Sequence, residues 1–402
     1  MRVLIGSLLA LWLAAAVPAA AADLLDGVDI SGSLKSLSVY SADASPFTAE
    51  TVFSLNGLRL DLNPRLSDVV SAEVSFAQQL LWTSRPELVS LSGNQVNRVA
   101  DLETVWRQGE HFSGLTQIDR LNIRGETENL FWALGRQAIG FGRITLFSPL
   151  DVIAPFPPDA LDVDIRPGVD ALRVNYYFGK AGQVGGAVVF GDDKEHNSYL
   201  LTAGENVYNI DLLLLVGSLR GRNMVGFGIA GELGKLGVKL EGSWYRGTEV
   251  GRLGGDPCSR FAIAAVEGWY RFDNGLVLLA EYLYNGYGAE EPADYLTVAT
   301  SAPLDEGLGF LLGRHYLLLG PSYQLHPLVT LNGLVIYNIE DCSALVRPQL
   351  AISLGDNTQL DLFWGVTTGR GATRDSLTQL PVMQSEFGSA GDSGGVLLRW
   401  YF

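Results

Sequence analysis

The chain has 402 residues, with 44 acidic against 28 basic side chains and a formal charge of −16. So acidic a balance excludes nucleic acid as a partner, because a phosphate backbone demands a basic surface. A mean hydropathy of +0.17, 47 glycines and 10% aromatic residues are unusual for a soluble domain, and they suit strands that turn one apolar face to lipid.

Residues 1–22 read as a secretory signal peptide: Met1-Arg2 is basic, Val3 to Val17 is largely apolar, and Ala20-Ala21-Ala22 offers a small-residue cleavage site. The rival reading is a retained anchor, for which the apolar run is short. No Cys lies near the cut. After Ala22 no apolar run approaches the roughly 18 residues of a spanning helix.

The mature chain, 23–402, predicts strands of about ten residues separated by turns of alternating length, the pattern of an antiparallel up-and-down transmembrane β-barrel. Arg59 and Asp61 alternate with Leu58, Leu60 and Leu62. A charge on the lipid face near mid-membrane costs about 2–4 kcal/mol, so the charged set must face the lumen. By the same alternation Arg120, Arg124, Arg136, Arg173, Lys239, Glu241, Glu267, Arg271, Glu281, Arg347 and Asp361 are candidate pore-lining residues. Each could equally be a plain solvated wall residue, and their mixed signs predict weak ion selectivity. The clearest hairpin is Phe261–Phe272, Asp273-Asn274-Gly275 and Leu276–Tyr287, where Asn-Gly favours a tight primed turn.

Short connections are expected at 63–68, 125–128, 179–182, 204–207, 234–237, 273–275, 325–328 and 355–357. Longer ones are expected near 40–50, 82–111, 139–168, 191–197, 218–223, 247–260, 288–311, 340–344 and 368–393. Their alternation places both termini on the periplasmic side and makes the strand number even. Eighteen strands fit best and sixteen is the alternative, with 98–107 and 198–203 the ambiguous segments. A soluble sandwich or propeller is the rival fold. A barrel of 16–18 strands encloses more space than its wall side chains fill.

Residues 130–173 stand apart. A strand runs into a loop of about 25 residues, long enough to suggest function or disorder. Four prolines and Phe147, Leu150, Ile153 and Phe156 make the loop too apolar for a disordered tip. Folding into the lumen is one expectation, with Phe147, Asp151, Phe156, Asp162, Asp164 and Arg166 as the constriction candidates. An extracellular lid is the other. Gly-Arg-Gln-x-Ile-Gly-x-Gly at 135–142, Phe-Ser-Pro-x-Asp at 147–151, Pro-Phe at 155–156 and Arg-Pro-Gly-Val-Asp-Ala-Leu-Arg at 166–173 resemble a group of outer-membrane porins. The group is related in style to alginate-export barrels and includes the barrel subunits of porin–cytochrome conduits. That resemblance implies a barrel that sheathes a multihaem c-type cytochrome for electron transfer across the outer membrane. Haem would then belong to the partner, since this chain has no C-x-x-C-H attachment site. The other transport reading is a free-standing porin or exporter for small polar solutes.

Catalysis is not expected. His196 and His326 lie close in sequence to Ser198 and Ser322, but no nucleophile motif surrounds them. No metal-ligand spacing appears. Cys258 and Cys342 both fall in long connections, so a loop-to-loop disulfide is open provided their Cα atoms lie within about 7 Å. At the end of the chain Val396, Leu398, Trp400 and Phe402 share one strand face and Arg399 the other. This resembles the C-terminal signature of outer-membrane barrels, which implies that Trp400 and Phe402 are read by the barrel-assembly machinery. The location so implied is the bacterial outer membrane, with acidic loops meeting lipopolysaccharide.

Overall fold

The computed structural model describes residues 28–44, 49–89, 96–252, 254–374 and 381–402, and leaves out the side chains of 107 and 108. The signal-peptide reading of residues 1–22 lies outside the described residues. The strands are β1 (Val28–Ser41), β2 (Thr51–Pro64), β3 (Val70–Thr83), β4 (Glu103–Gln108), β5 (Phe112–Glu126), β6 (Leu130–Gln137), β7 (Val169–Phe178), β8 (Gly182–Val189), β9 (Ser198–Val207), β10 (Ile210–Leu219) and β11 (Arg222–Leu233). They continue as β12 (Leu236–Arg246), β13 (Arg260–Arg271), β14 (Val277–Asn285), β15 (His315–His326), β16 (Val329–Asn338), β17 (Ala344–Gly355), β18 (Thr358–Thr368), the two-residue pair β19 (Thr373–Arg374) and β20 (Pro381–Val382), and β21 (Ser393–Tyr401).

Every sequential pairing in the main sheet is antiparallel, and β21 pairs with both β18 and β1. Leaving aside β4, the sheet closes into an 18-stranded transmembrane barrel. Closure removes the edges, so every strand backbone finds a partner without water. The ambiguous segment 198–203 is a full strand, β9. The other, 98–107, is not part of the ring. There β4 pairs with the upper half of β5 (Glu103↔Gln117), beyond the reach of the short β6, whose pairing starts at Leu121↔Arg136.

Alternation runs as expected but inside out relative to a soluble protein. On β11, Val225, Phe227 and Ile229 are exposed on the outer face, while Arg222 and Met224 are buried within. The apolar core therefore lies inside the barrel. Two turns differ from expectation, one in position and one in length. Residues 204–207 remain in β9, and the reversal falls at Tyr208-Asn209, both at positive φ (54° and 64°). The connection near 218–223 is a two-residue turn, Arg220-Gly221, with φ of 47° and 79°. Such primed turns match the strand twist, and here Tyr and Arg occupy positions that composition assigns to Gly.

Candidate functional site

Residues 138–168, between β6 and β7, fold into the lumen and cross it. Three carboxylates on neighbouring strands hold the first part of the loop. Glu241 (β12) accepts from Arg143 N (2.5 Å), Ile144 N (3.1 Å), Leu150 N (3.4 Å) and the Ser148 hydroxyl. Glu267 (β13) accepts from Thr145 N at 2.6 Å and pairs with Lys239 at 2.7 Å. Glu281 (β14) accepts from Phe147 N at 3.3 Å. Beneath these bonds Ile139, Phe147, Leu150 and Ile153 pack with Leu200, Leu215, Met224, Ile263, Leu283 and Leu318 in one buried cluster. Gly226 and Gly228 make room for Leu150: a Cβ on either would lie 2.5 or 2.9 Å from its methyls.

The second part of the loop reaches the far wall. Arg347 (β17) donates to the Asp159 carbonyl at 2.5 Å, and Arg399 (β21) donates to the Leu161 carbonyl at 3.1 Å. Lys35 (β1) pairs with Asp162 at 2.7 Å and Asp164 at 2.9 Å. The Tyr401 hydroxyl donates to Asp164 at 2.5 Å. Asp151 and Arg166 are ion-paired within the loop, and Phe156 lies under the Arg166 guanidinium, 5.1 Å from the ring centroid. The inward-folding expectation holds, and the lid reading does not.

Between the loop and the β1–β5 wall remains a cavity of about 550 Å³. Lys35, Arg59 and Arg98 line it together with Asp119, Asp162 and Glu306, and Ile153, Pro155, Ile165 and Phe310 form an apolar side. Its charges are mutually satisfied. Arg59 bridges Asp61 (2.8 Å) and Asp119 (2.6 Å), and Arg120 binds Asp119 at 2.6 Å. A β-bulge explains this clustering. Ser75 opposes Arg120 and Phe76 opposes Ile118, so Asp119 is the extra residue. The bulge turns Asp119 and Arg120 inward together.

Of the remaining pore-lining candidates, Asp361 is ion-paired to Arg399 at 2.7 Å, and Arg173 faces inward with Phe131 5.8 Å from its guanidinium. Arg271 is exposed at the short-turn end, outside the narrow zone. Arg136 does not line the pore. Its guanidinium is buried in the wall, bound to Asp170 (2.8 Å) and to the Ile118 and Ala100 carbonyls. It fills the corner where β6 ends and the chain turns inward. Phe147 is also no pore residue, being 4% exposed against Phe310. Glu241, Glu267 and Glu281 belong to the loop's anchorage, so little of them meets water.

Alternation missed Lys35, because β1 mixes Ser and Leu on both faces. It missed Asp119 because of the bulge, and Arg98 because that residue precedes β4 outside the ring. At the long-loop end the half-buried Glu386 has its carboxylate inside and accepts from Tyr316 (2.5 Å), Asn338 (2.8 Å) and Leu312 N (2.9 Å). Burial, with Asp341 nearby, pushes its carboxyl up to about 7. Cys258 and Cys342 are both free thiols. Their connections, β12–β13 and β16–β17, are four strands apart, about 20 Å at the usual strand spacing and too far for a bridge. His196 binds Asp192 (2.6 Å), whereas the Ser198 hydroxyl accepts from Arg220 N (3.0 Å). The Ser322 hydroxyl donates to Asn332 (2.8 Å). Neither serine is joined to the histidine near it in sequence.

No family model matches the chain, and no curated protein matches it in sequence. Solved structures do. The barrel is similar to OccAB3 of Acinetobacter baumannii, with 10% identity over 94% of this chain and 100% of that one and a TM-score of 0.57. OccAB4 of the same organism gives 7% identity, 93% and 98% coverage and 0.57. OccK8 (OprE) of Pseudomonas aeruginosa gives 9%, 94% and 98%, and 0.57. At these identities the likeness is one of architecture, and it defines a porin-like barrel.

Proposed function

We propose that the chain is a bacterial outer-membrane diffusion channel for small polar solutes, with residues 138–168 as its constriction. The observation carrying this reading is the loop itself, bonded to opposite walls inside the barrel and leaving a narrow cavity beside paired charges. Because those charges neutralise one another, discrimination between small cations and anions is weak. In this reading both termini and the short turns are periplasmic, and the long acidic loops meet lipopolysaccharide outside. The terminal strand serves assembly: Phe402 exchanges backbone bonds with Gly32 at 2.9 and 3.0 Å beside the Trp400 ring.

A sheath for a multihaem cytochrome needs the space that Leu150 and its neighbours fill. The loop would have to leave three carboxylates and its apolar bed before such a partner could enter, so the geometry favours a channel over a sheath. The test is conductance of the refolded chain alone in a planar bilayer. Expected are small, ohmic single-channel steps, rising several-fold when 155–164 is replaced by a short Gly-Ser linker. A silent chain, or stoichiometric copurification of a haem protein from native membranes, would overturn the reading.

A further inference from the structure

On β6 to β18 and on β21 the outward positions are apolar, aromatic, Gly, Ala or Pro except close to the strand ends, where Glu205, Ser218 and Asn223 also face out. The outer face of β1–β5 is different. Lys35 pairs with Asp162 in the lumen, and Ala77 and Leu115 are buried where Phe76 is exposed, so strict alternation turns Ser36, Ser38, Ser54, Asn56, Gln78 and Thr116 outward, with Gln78 also bordering the cavity through its strand. The pairings Ser36↔Asn56, Ser38↔Ser54 and Gln78↔Thr116 set them side by side. Their height is that of the lipid tails. Leu34 pairs with Trp400 at the short-turn end, and Tyr40 pairs with Gly394, which faces Trp364, at the other. Tyr40 and Trp364 stack at 6.4 Å, and Trp400 packs on Phe402 at 5.1 Å. Ser36 and Ser38 lie between these two aromatic girdles.

Hydroxyl and amide groups facing hydrocarbon are costly unless bonded. Four of the six bond one another: Ser36 to Asn56 (2.8 Å), Asn56 to Ser54 (3.2 Å) and Ser38 to Ser54 (3.3 Å). The Gln78 amide has no partner among the described residues. Lipid tails cannot supply one, and a soluble protein cannot reach this depth. We infer that this face docks a second copy of the same chain within the membrane. The choice of occupant follows from the chemistry. The patch carries no charge, and every side chain in it both donates and accepts. One face can therefore satisfy an identical face across a symmetry axis, whereas a charged partner surface would be left unpaired in hydrocarbon. Polar side chains are the usual adhesive between membrane proteins, where the hydrophobic effect supplies none.

The test uses the full chain in native outer membranes, in a Cys258→Ser/Cys342→Ser background. Gln78→Cys should oxidise to a disulfide-linked pair at least tenfold more efficiently than Leu214→Cys, an outward control on the opposite wall. Mildly extracted wild-type particles should have the mass of two or more chains. The Ser36→Leu/Asn56→Leu/Gln78→Leu variant should keep its heat-modifiable barrel and become single-chain. A single-chain wild-type particle, equal cross-linking at the two sites, or an adduct to an unrelated protein would each overturn the inference.

Discussion

Removing the Glu241 carboxylate should loosen the constriction without unfolding the barrel. Glu241→Ala deletes the acceptor for three backbone N–H groups and one hydroxyl. Ile144 and Leu150 are buried, so water does not readily replace the carboxylate. A buried donor without an acceptor costs about 1–3 kcal/mol. If two of the four stay unsatisfied, the anchorage weakens by about 2–6 kcal/mol. Leu150 still buries its side chain, which contributes about 1.5–3 kcal/mol, and the bonds to Glu267 and Glu281 remain. The loop is then loosened and visits a detached state often. A shift of about 3 kcal/mol raises that population by roughly a hundredfold. Single-channel recording should show flicker to larger conductance, and limited proteolysis should cut between 143 and 150 where wild type resists. Glu241→Gln, which keeps one acceptor oxygen, should fall between. Unchanged conductance, noise and cleavage in Glu241→Ala would refute the claim that these bonds hold the loop.

Two other outcomes follow from the same contacts. Lys35 and Arg399 are direct cross-strand partners at the closing seam, a repulsive arrangement bridged by Asp162 and Asp164. In Asp162→Asn/Asp164→Asn, amide exchange in β1 and β21 should quicken about tenfold relative to β10–β13, and Lys35→Gln in that background should restore protection; an equal rise around the whole barrel would count against a seam effect. Glu386 is held up to about 7 by burial, so the folded protein keeps a proton that the unfolded chain releases from about pH 4.5 upward. Packing of the 381–392 loop should therefore weaken as pH rises through the window from 4.5 to 7. Melting at pH 5 and pH 8 should show the difference in wild type and lose it in Glu386→Gln; an identical slope in the variant would assign it elsewhere.

Much of this barrel is legible in the sequence because lipid enforces alternation. A charge at Lys239, Glu241 or Glu281 has only one affordable face, and the face follows without knowing the fold. What each inward residue does is a different matter. Glu241, Glu267 and Glu281 look like three solvated wall positions until a loop more than 90 residues earlier arrives to cover them. Arg136 shares the parity of the outward Leu130 and Leu134, so alternation does not make it a lumen residue, and it is sealed in the wall where the strand carrying it ends. Asp119 is invisible for the opposite reason: one inserted residue breaks the period of two. The turn at Tyr208-Asn209 lies beyond the expected 204–207, and Arg220-Gly221 is shorter than the connection expected near 218–223, because strand twist, and not composition, selects their backbone. The inward course of 138–168 was readable from its prolines and apolar residues, but its partners were not, since they lie on strands distant in sequence.

The loop explains why a ring of 18 strands need not be a wide pore. Neighbouring strands hold one another by backbone bonds, but opposite walls have nothing between them except water. Here one segment joins β12–β14 to β17, β21 and β1 across that gap. Its two ends rest on different physics. The β12–β14 end combines carboxylate-to-amide bonds with a dry apolar bed, a tight arrangement with little reason to open. The β1–β21 end rests on ion pairs whose acids are about one-third exposed, 33% for Asp162 and 35% for Asp164, so water and salt compete with each contact. Motion in the constriction should therefore begin at the Lys35 end, beside the cavity, with the carboxylate-bound end as its hinge. On the proposed channel reading, the passage for solutes lies on the side of the loop that is cheaper to move.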